Sequence, residues 1–221
     1  MILTIQHSTI KALLTIAADK DVRYYLLGIC VDVRAATDAR PADVTLVATD
    51  GVILLAHPVP LSDVEGVIEP GQYIIPRDAL EAVAPMKAGR TALPITITIR
   101  TPAPTTDADG RTVVARPEVE ITGATTLRTA PIDGRYPDWR RVLPRTASGV
   151  PAPLDGRLIA RIAKAYDYMN EKPRLFQLSI HHNGPTGASL ITGWKGDGLG
   201  VIMPMRDPDT FPETLPAWSL A

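Results

Sequence analysis

One pattern recurs three times along this chain: an amphipathic helical stretch followed by several short, β-rich runs, with helix starts near residues 8, 77 and 155. A single helix can bury its apolar stripe against strands only if those strands form a sheet beneath it. The pattern therefore specifies an α+β layer of antiparallel strands with helices on one face. Recurrence at this spacing suggests a modular array of about three units. The residues themselves are not repeated, so what recurs is the pattern.

In the first pass Met1–Ile5 reads as a strand. Ser8 is placed to cap a helix that carries Ile10, Leu13, Leu14, Ala17 and Ala18 on its apolar side. The chain then turns apolar and β-branched from Val22 to Val33. After a polar loop, Val44–Ala48 and Val52–Ala56 flank the turn Thr49-Asp50-Gly51, a strong hairpin signal. The second pass opens on Tyr73-Ile74-Ile75. Pro76 starts a helix bearing Leu80, Val83 and Ala84, and Pro85 or Gly89 ends it. Residues 95–100 alternate with period two, as a half-buried strand does, and Val119–Thr122 and Leu127–Ala130 follow. Residues 101–117 look like a loop insertion. In the third pass Asp155 caps a helix with Leu158, Ile159, Ile162, Ala163 and Tyr166 on one face. Phe176–Ile180, Ala188–Thr192 and Val201–Met203 are its strands. The expected organisation is one two-unit domain over 1–144 (about 1–62 and 63–144), a half domain over 145–206, and a proline-rich tail over 207–221.

The charge balance of 23 basic and 24 acidic residues leaves no global positive field, so any nucleic-acid contact must come from a local patch. A lone cysteine, Cys30, excludes an internal disulfide framework and fits a reducing cytoplasm. The first residues lack the features of a signal peptide, and no apolar run approaches a membrane span. No catalytic constellation is legible. His7 and His57 are scattered, and the adjacent His181 and His182 point to opposite sides of a strand and do not chelate one ion. There is no paired-cysteine spacing, phosphate loop or nucleophile elbow. Asp32, Asp50 and Glu120 are in principle metal-binding, but acidic residues beside turns usually serve the turn. The expectation is a non-enzyme with no metal and no cofactor.

Residues 137–144, Pro-Asp-Trp-Arg-Arg-Val-Leu-Pro, are bracketed by two prolines that resist helix and central strand. They read as an extended, ordered connector that must bury Trp139, Val142 and Leu143. Lys11, Lys20, Arg23, Arg77, Arg157, Arg161 and Lys164 lie on or beside the three helices. By pattern alone they are either solvated flanks or a surface for phosphates.

Four segments taken together resemble the bacterial replicative sliding clamps, the β subunits of DNA polymerase III. They are Asp21-Val-Arg-Tyr-Tyr-Leu-Leu-Gly28, Leu46-Val-Ala-Thr-Asp-Gly51, Asp133-Gly-Arg-Tyr-Pro-Asp-Trp-Arg-Arg-Val-Leu-Pro144 and Val201-Ile-Met-Pro-Met-Arg206. Their order matches the clamp's middle domain followed by its carboxyl end, over roughly residues 1–206. A full clamp has six such units and this chain about three. Val52-Ile53 stand where the family usually has His-Arg, and Leu27 where it has asparagine.

The resemblance implies DNA-clamp modules and a processivity factor that encloses duplex DNA without reading its sequence. It turns the basic flanks towards a DNA channel, joined by Tyr24 and Tyr25, which match a DNA-contacting tyrosine pair. It also implies a hydrophobic cleft for the short linear motifs of polymerases and other DNA enzymes. The matching residues are Leu26, Thr49, Gly51, Leu54, Pro137, Arg141, Val142, Met203, Pro204, Met205 and Arg206. Three units do not close a ring, so a homo-oligomer of about four chains is expected. The alternative is a non-encircling adaptor that keeps the cleft and competes with a host clamp. A metal-dependent nuclease is a third class, and the carboxylates for it do not cluster in the sequence.

Overall fold

The computed structural model describes the chain apart from residues 67–68, 85–92, 104, 107–111, 114–115, 171–176 and 206–221. The first pass forms β1 (Ile2–Ile5), α1 (His7–Ile16), β2 (Gly28–Arg34), β3 (Asp43–Thr49) and β4 (Ile53–Val59), followed by a short β5 (Val64–Glu65). The second forms β6 (Gly71–Pro76), α2 (Arg77–Val83), β7 (Ile95–Arg100), the two-residue strands β8 (Thr105–Thr106) and β9 (Thr112–Val113), β10 (Glu118–Thr122) and β11 (Thr126–Thr129). The third forms α3 (Gly156–Met169), β12 (Ser179–His181), β13 (Ser189–Thr192) and β14 (Leu199–Ile202). The expected ends at Pro85, Gly89 and Phe176, and the tail, lie outside the described residues.

The first two passes exchange strands. The strand before each helix crosses to the other unit's sheet: β1 runs antiparallel to β7, with Leu3 opposite Ile97, keeping only the short β5 of its own pass on its other edge, and β6 runs antiparallel to β2, with Ile74 opposite Cys30. Neither unit is therefore a complete sheet alone. The third pass does not stand apart. Its last strand, β14, lies antiparallel to β4, with Val201 opposite Leu54, and extends that sheet to the order β12-β13-β14-β4-β3-β2-β6. The other sheet runs β11-β10-β7-β1-β5. Pro58 sits in β4 beyond Ala56, the last residue opposed by β14, so its missing N–H breaks no ladder bond to that neighbour.

The main core draws on both sheets and all three helices. The period-two strand β7 sends Ile95, Ile97 and Ile99 into it. β2, β3 and β4 are instead buried on both faces. Their helix side joins the main core, while Cys30, Val47, Leu54 and Ala56 join a second cluster with Tyr136, Trp139 and Val201 on the opposite face. This explains why these strands read as continuous apolar runs rather than alternating ones. α1 is buried around almost its whole circumference because α3 packs along it.

Three local expectations change. α1 starts at His7 with Gln6 as its cap residue, because the Gln6 carbonyl accepts from the Thr9 and Ile10 amides; Ser8 is inside the first turn. The apolar run from Val22 is strand only from Gly28. A 3₁₀ turn occupies Tyr24–Leu26, and Val22 is 97% exposed. The connector is not fully extended, since Trp139–Val142 make a 3₁₀ turn. Asp155 caps α3 as expected, accepting from the Arg157 amide at 2.8 Å.

His57, on β4, is packed against the Gly196 and Gly198 backbone, and its Nδ1 has no hydrogen-bond partner among the described residues. Burial lowers its pKa below the ordinary 6.5. His7 is lowered for the same reason, helped by Lys11. A group held neutral by the fold stabilises it above the unfolded pKa and loses that contribution as pH falls through the folded value. The urea midpoint is therefore expected to be flat above about pH 7 and to decline below about pH 6.5. His57→Gln should flatten part of that decline; an unchanged slope would show that His57 does not contribute to it.

Candidate functional site

An apolar cleft of about 230 Å³ opens where the Tyr24–Leu26 turn, the β3–β4 hairpin, the connector and the residues after β14 converge. Seven of the residues expected there line it: Leu26, Thr49, Gly51, Leu54, Pro137, Val142 and Met203. Arg141, Pro204 and Met205 do not line it. Arg141 points its exposed side chain from the connector, and Met205 is exposed two residues beyond Met203. Arg206 lies outside the described residues. The lining also includes Arg23, Tyr25, Val52, Ile53, Asp138, Trp139 and Val201. Period-two logic was available for Val201, which shares a strand face with Met203. Val52, standing where a histidine was expected, is 43% exposed at the rim, and Val142 is 44% exposed. Ile53, in the expected arginine position, is instead a buried core residue.

The connector wall is fixed from behind. Tyr136 is buried, with its hydroxyl directed to the Val47 carbonyl at 3.4 Å; burial pushes its pKa far up. The Trp139 ring enters the second core cluster, and its Nε1 donates to Asp32 Oδ2 at 2.7 Å. The Arg140 guanidinium stacks on that ring at 4.2 Å and pairs with Asp32. Arg140 therefore anchors the connector to the sheet and does not face the cleft. Asp32 is committed to these two donors. Glu120 is likewise engaged by Arg128, whose hydrogen bond lowers its pKa. Among the described residues, no group of three His, Cys, Asp or Glu side chains is placed to hold a metal ion.

The Thr-Asp-Gly turn forms the cleft floor. Thr49 Oγ1 donates to the Ile53 carbonyl at 2.6 Å and accepts from the Gly51 amide at 3.0 Å. Asp50 Oδ1 accepts from the Val52 and Ile53 amides, both at 2.9 Å. Gly51 has φ +90°, a conformation that favours glycine, and the Arg23 guanidinium lies where a Cβ would project. Arg23 also donates to the Asp50 carbonyl and holds Asp21 bidentately, lowering the Asp21 pKa to about 2.

The basic residues are placed less uniformly than the resemblance implies. Lys11 is only 6% exposed, with its amine 5.4 Å from the Tyr168 ring, because α3 covers the face of α1 that was expected to be open. Arg77 donates to the Leu14, Ala17 and Ala18 carbonyls. Arg161 donates to the Thr15 and Ile16 carbonyls and pairs with Asp50. Both thus close the carboxyl end of α1, where the helix dipole is negative. Arg157 pairs with Asp155, lowering the carboxyl pKa. Lys20 and Lys164 line an open groove with Arg77 and Arg161, beside Asp19, Asp21 and Asp50. Tyr24 is half exposed and stands edge-on to Tyr25, at 5.7 Å between ring centres; Tyr25 turns into the cleft.

This arrangement of exchanged strands, one helix per unit and a sheet continued across units is that of the DNA-clamp fold. Solved structures match it: DNA polymerase III subunit beta from Pseudomonas aeruginosa (TM-score 0.62, 16% identity, covering 93% of this chain and 66% of that one). The sliding clamp of Caulobacter crescentus (0.62, 16%, 93% and 65%) and DNA polymerase III beta subunit of Thermotoga maritima (0.63, 12%, 93% and 65%) match similarly. The chain spans about two thirds of the length of these clamps. No family model and no curated protein matches the sequence.

Proposed function

We propose that the chain is a sliding-clamp-like processivity factor. Its cleft docks linear motifs of DNA polymerases or other DNA enzymes, and several copies assemble around duplex DNA in the cytoplasm. It acts by binding and needs no cofactor. In this reading residues 1–144 are one complete clamp-type domain, and 145–206 are a half domain joined to it through β14. The observation that carries the reading is the cleft itself: Leu26, Leu54, Val142 and Met203 converge on one apolar cavity. Such a cavity takes an apolar anchor side chain, and methionine adapts to varied ones. Arg141, exposed on the connector, or Arg206 offers charge for an acidic flank or a backbone carbonyl.

The groove beside α1 favours the second reading, a non-encircling adaptor. Its four cations stand among three carboxylates, and Arg77 and Arg161 already serve α1. Retention on circular and linear DNA, with molar mass from light scattering, separates the two. Retention on circles but not on linear DNA, in an assembly of several chains, is expected for the processivity factor. A monomer that docks peptides and retains no DNA is expected for the adaptor.

A further inference from the structure

We propose that Asp138 sets which motifs the cleft takes, by pairing with a lysine or arginine placed beside the motif's apolar anchor. The inference rests on reading the cleft as a peptide-docking site. Asp138 lines the cleft and is exposed. It also holds the cap position of the Trp139–Val142 turn, where an aspartate usually accepts from the turn's own amides. Here the carboxylate caps nothing, and the Arg141 amide donates to the Asp138 main-chain carbonyl instead. Among the described residues the Asp138 side chain has no ion pair or hydrogen bond.

The neighbouring charges are already matched. Arg23, the cation among the described lining residues, holds Asp21 through two guanidinium nitrogens, and the Asp21 pKa of about 2 keeps that pair neutral overall at neutral pH. Asp50, under the hairpin turn, pairs with Arg161. Arg141 does not line the cavity, so it meets an acidic flank only beyond the anchor. The free charge of the lining is therefore the Asp138 carboxylate, set among Leu26, Leu54, Val142 and Met203. A docked anchor strips water from that carboxylate. An acidic neighbour on the motif then adds repulsion, a neutral one leaves the charge unpaired, and a basic one offsets the loss. Lysine and arginine also suit the place by shape, because the aliphatic stem lies along the apolar wall while the head reaches the carboxylate.

A pair at an exposed rim is worth up to about fivefold in affinity, so lysine and glutamate at the facing position should differ about tenfold. The test uses the full chain and fluorescein-labelled peptides bearing the clamp-binding motif of a bacterial DNA polymerase, with each residue beside the apolar anchor made lysine, glutamine or glutamate in turn. At one of these positions the wild type should bind the lysine peptide about tenfold more tightly than the glutamate peptide, with glutamine between them. Asp138→Asn should bring the three within about twofold, and Asp138→Lys should reverse their order. Reading the ratio between peptides keeps specificity apart from any general loss of binding in a variant. No preference at any position in the wild type, or a lysine preference that survives Asp138→Asn, would overturn the proposal and leave docking intact. If no peptide binds the wild type, the docking reading fails and the proposal falls with it.

Discussion

Replacing Trp139 with alanine is expected to destabilise the protein by about 3–5 kcal/mol and to abolish peptide docking at the cleft. The ring is buried in the second core cluster, lines the cleft and carries the stacked Arg140. Removing it leaves a cavity on the outer face of the sheet. It also takes away the indole donor to Asp32, whose carboxylate is buried and keeps only Arg140. Trp139→Phe separates these effects: it keeps most of the packing but loses the hydrogen bond, so it should cost about 1–3 kcal/mol. Urea unfolding followed by circular dichroism measures both. A change below about 1 kcal/mol for Trp139→Ala would mean that the connector is not held as described.

The second large effect belongs to Arg161. Its guanidinium joins three elements that no sheet ladder connects directly: α3, the carboxyl end of α1 and the Asp50 turn. Arg161→Ala is expected to cost about 2–4 kcal/mol, because it strands a half-buried carboxylate and helix-end carbonyls together. Arg161→Lys should recover less than half of that, since an ammonium cannot serve divergent acceptors as a planar fork does. Hydrogen exchange should rise first in α3. If both variants stay within about 0.5 kcal/mol of wild type, the third unit is held by its β14 pairing and apolar packing alone.

The fold was legible in the sequence wherever local pattern and tertiary fate agree. β7 alternates because one face meets the core and the other does not, and Asp155 caps α3 through a contact two residues away. Strand exchange was not legible, because β1 and β6 carry no mark of which unit they join. The fate of the basic residues was hidden for the same reason. Lys11 looks like a helix flank until α3 is laid over it, and Arg77 and Arg161 reach carbonyls 59 or more residues away in sequence. The Val52-Ile53 departure at the cleft rim was readable from the motif resemblance; what the three-dimensional arrangement adds is that Val52 stays exposed at the rim while Ile53 is buried.

The central claim is that this cleft docks apolar peptide motifs. Titration of a labelled peptide bearing the clamp-binding motif of a bacterial DNA polymerase against the full chain tests it most directly, with Val142→Glu as the comparison. Val142 is exposed at the rim, so the substitution should leave the unfolding midpoint within about 0.5 kcal/mol of wild type while placing a charge against the anchor side chain. Saturable binding that weakens at least tenfold, by about 1.4 kcal/mol or more, in Val142→Glu is the expected result. Binding of equal strength in both proteins, or no binding to the wild type, would contradict it.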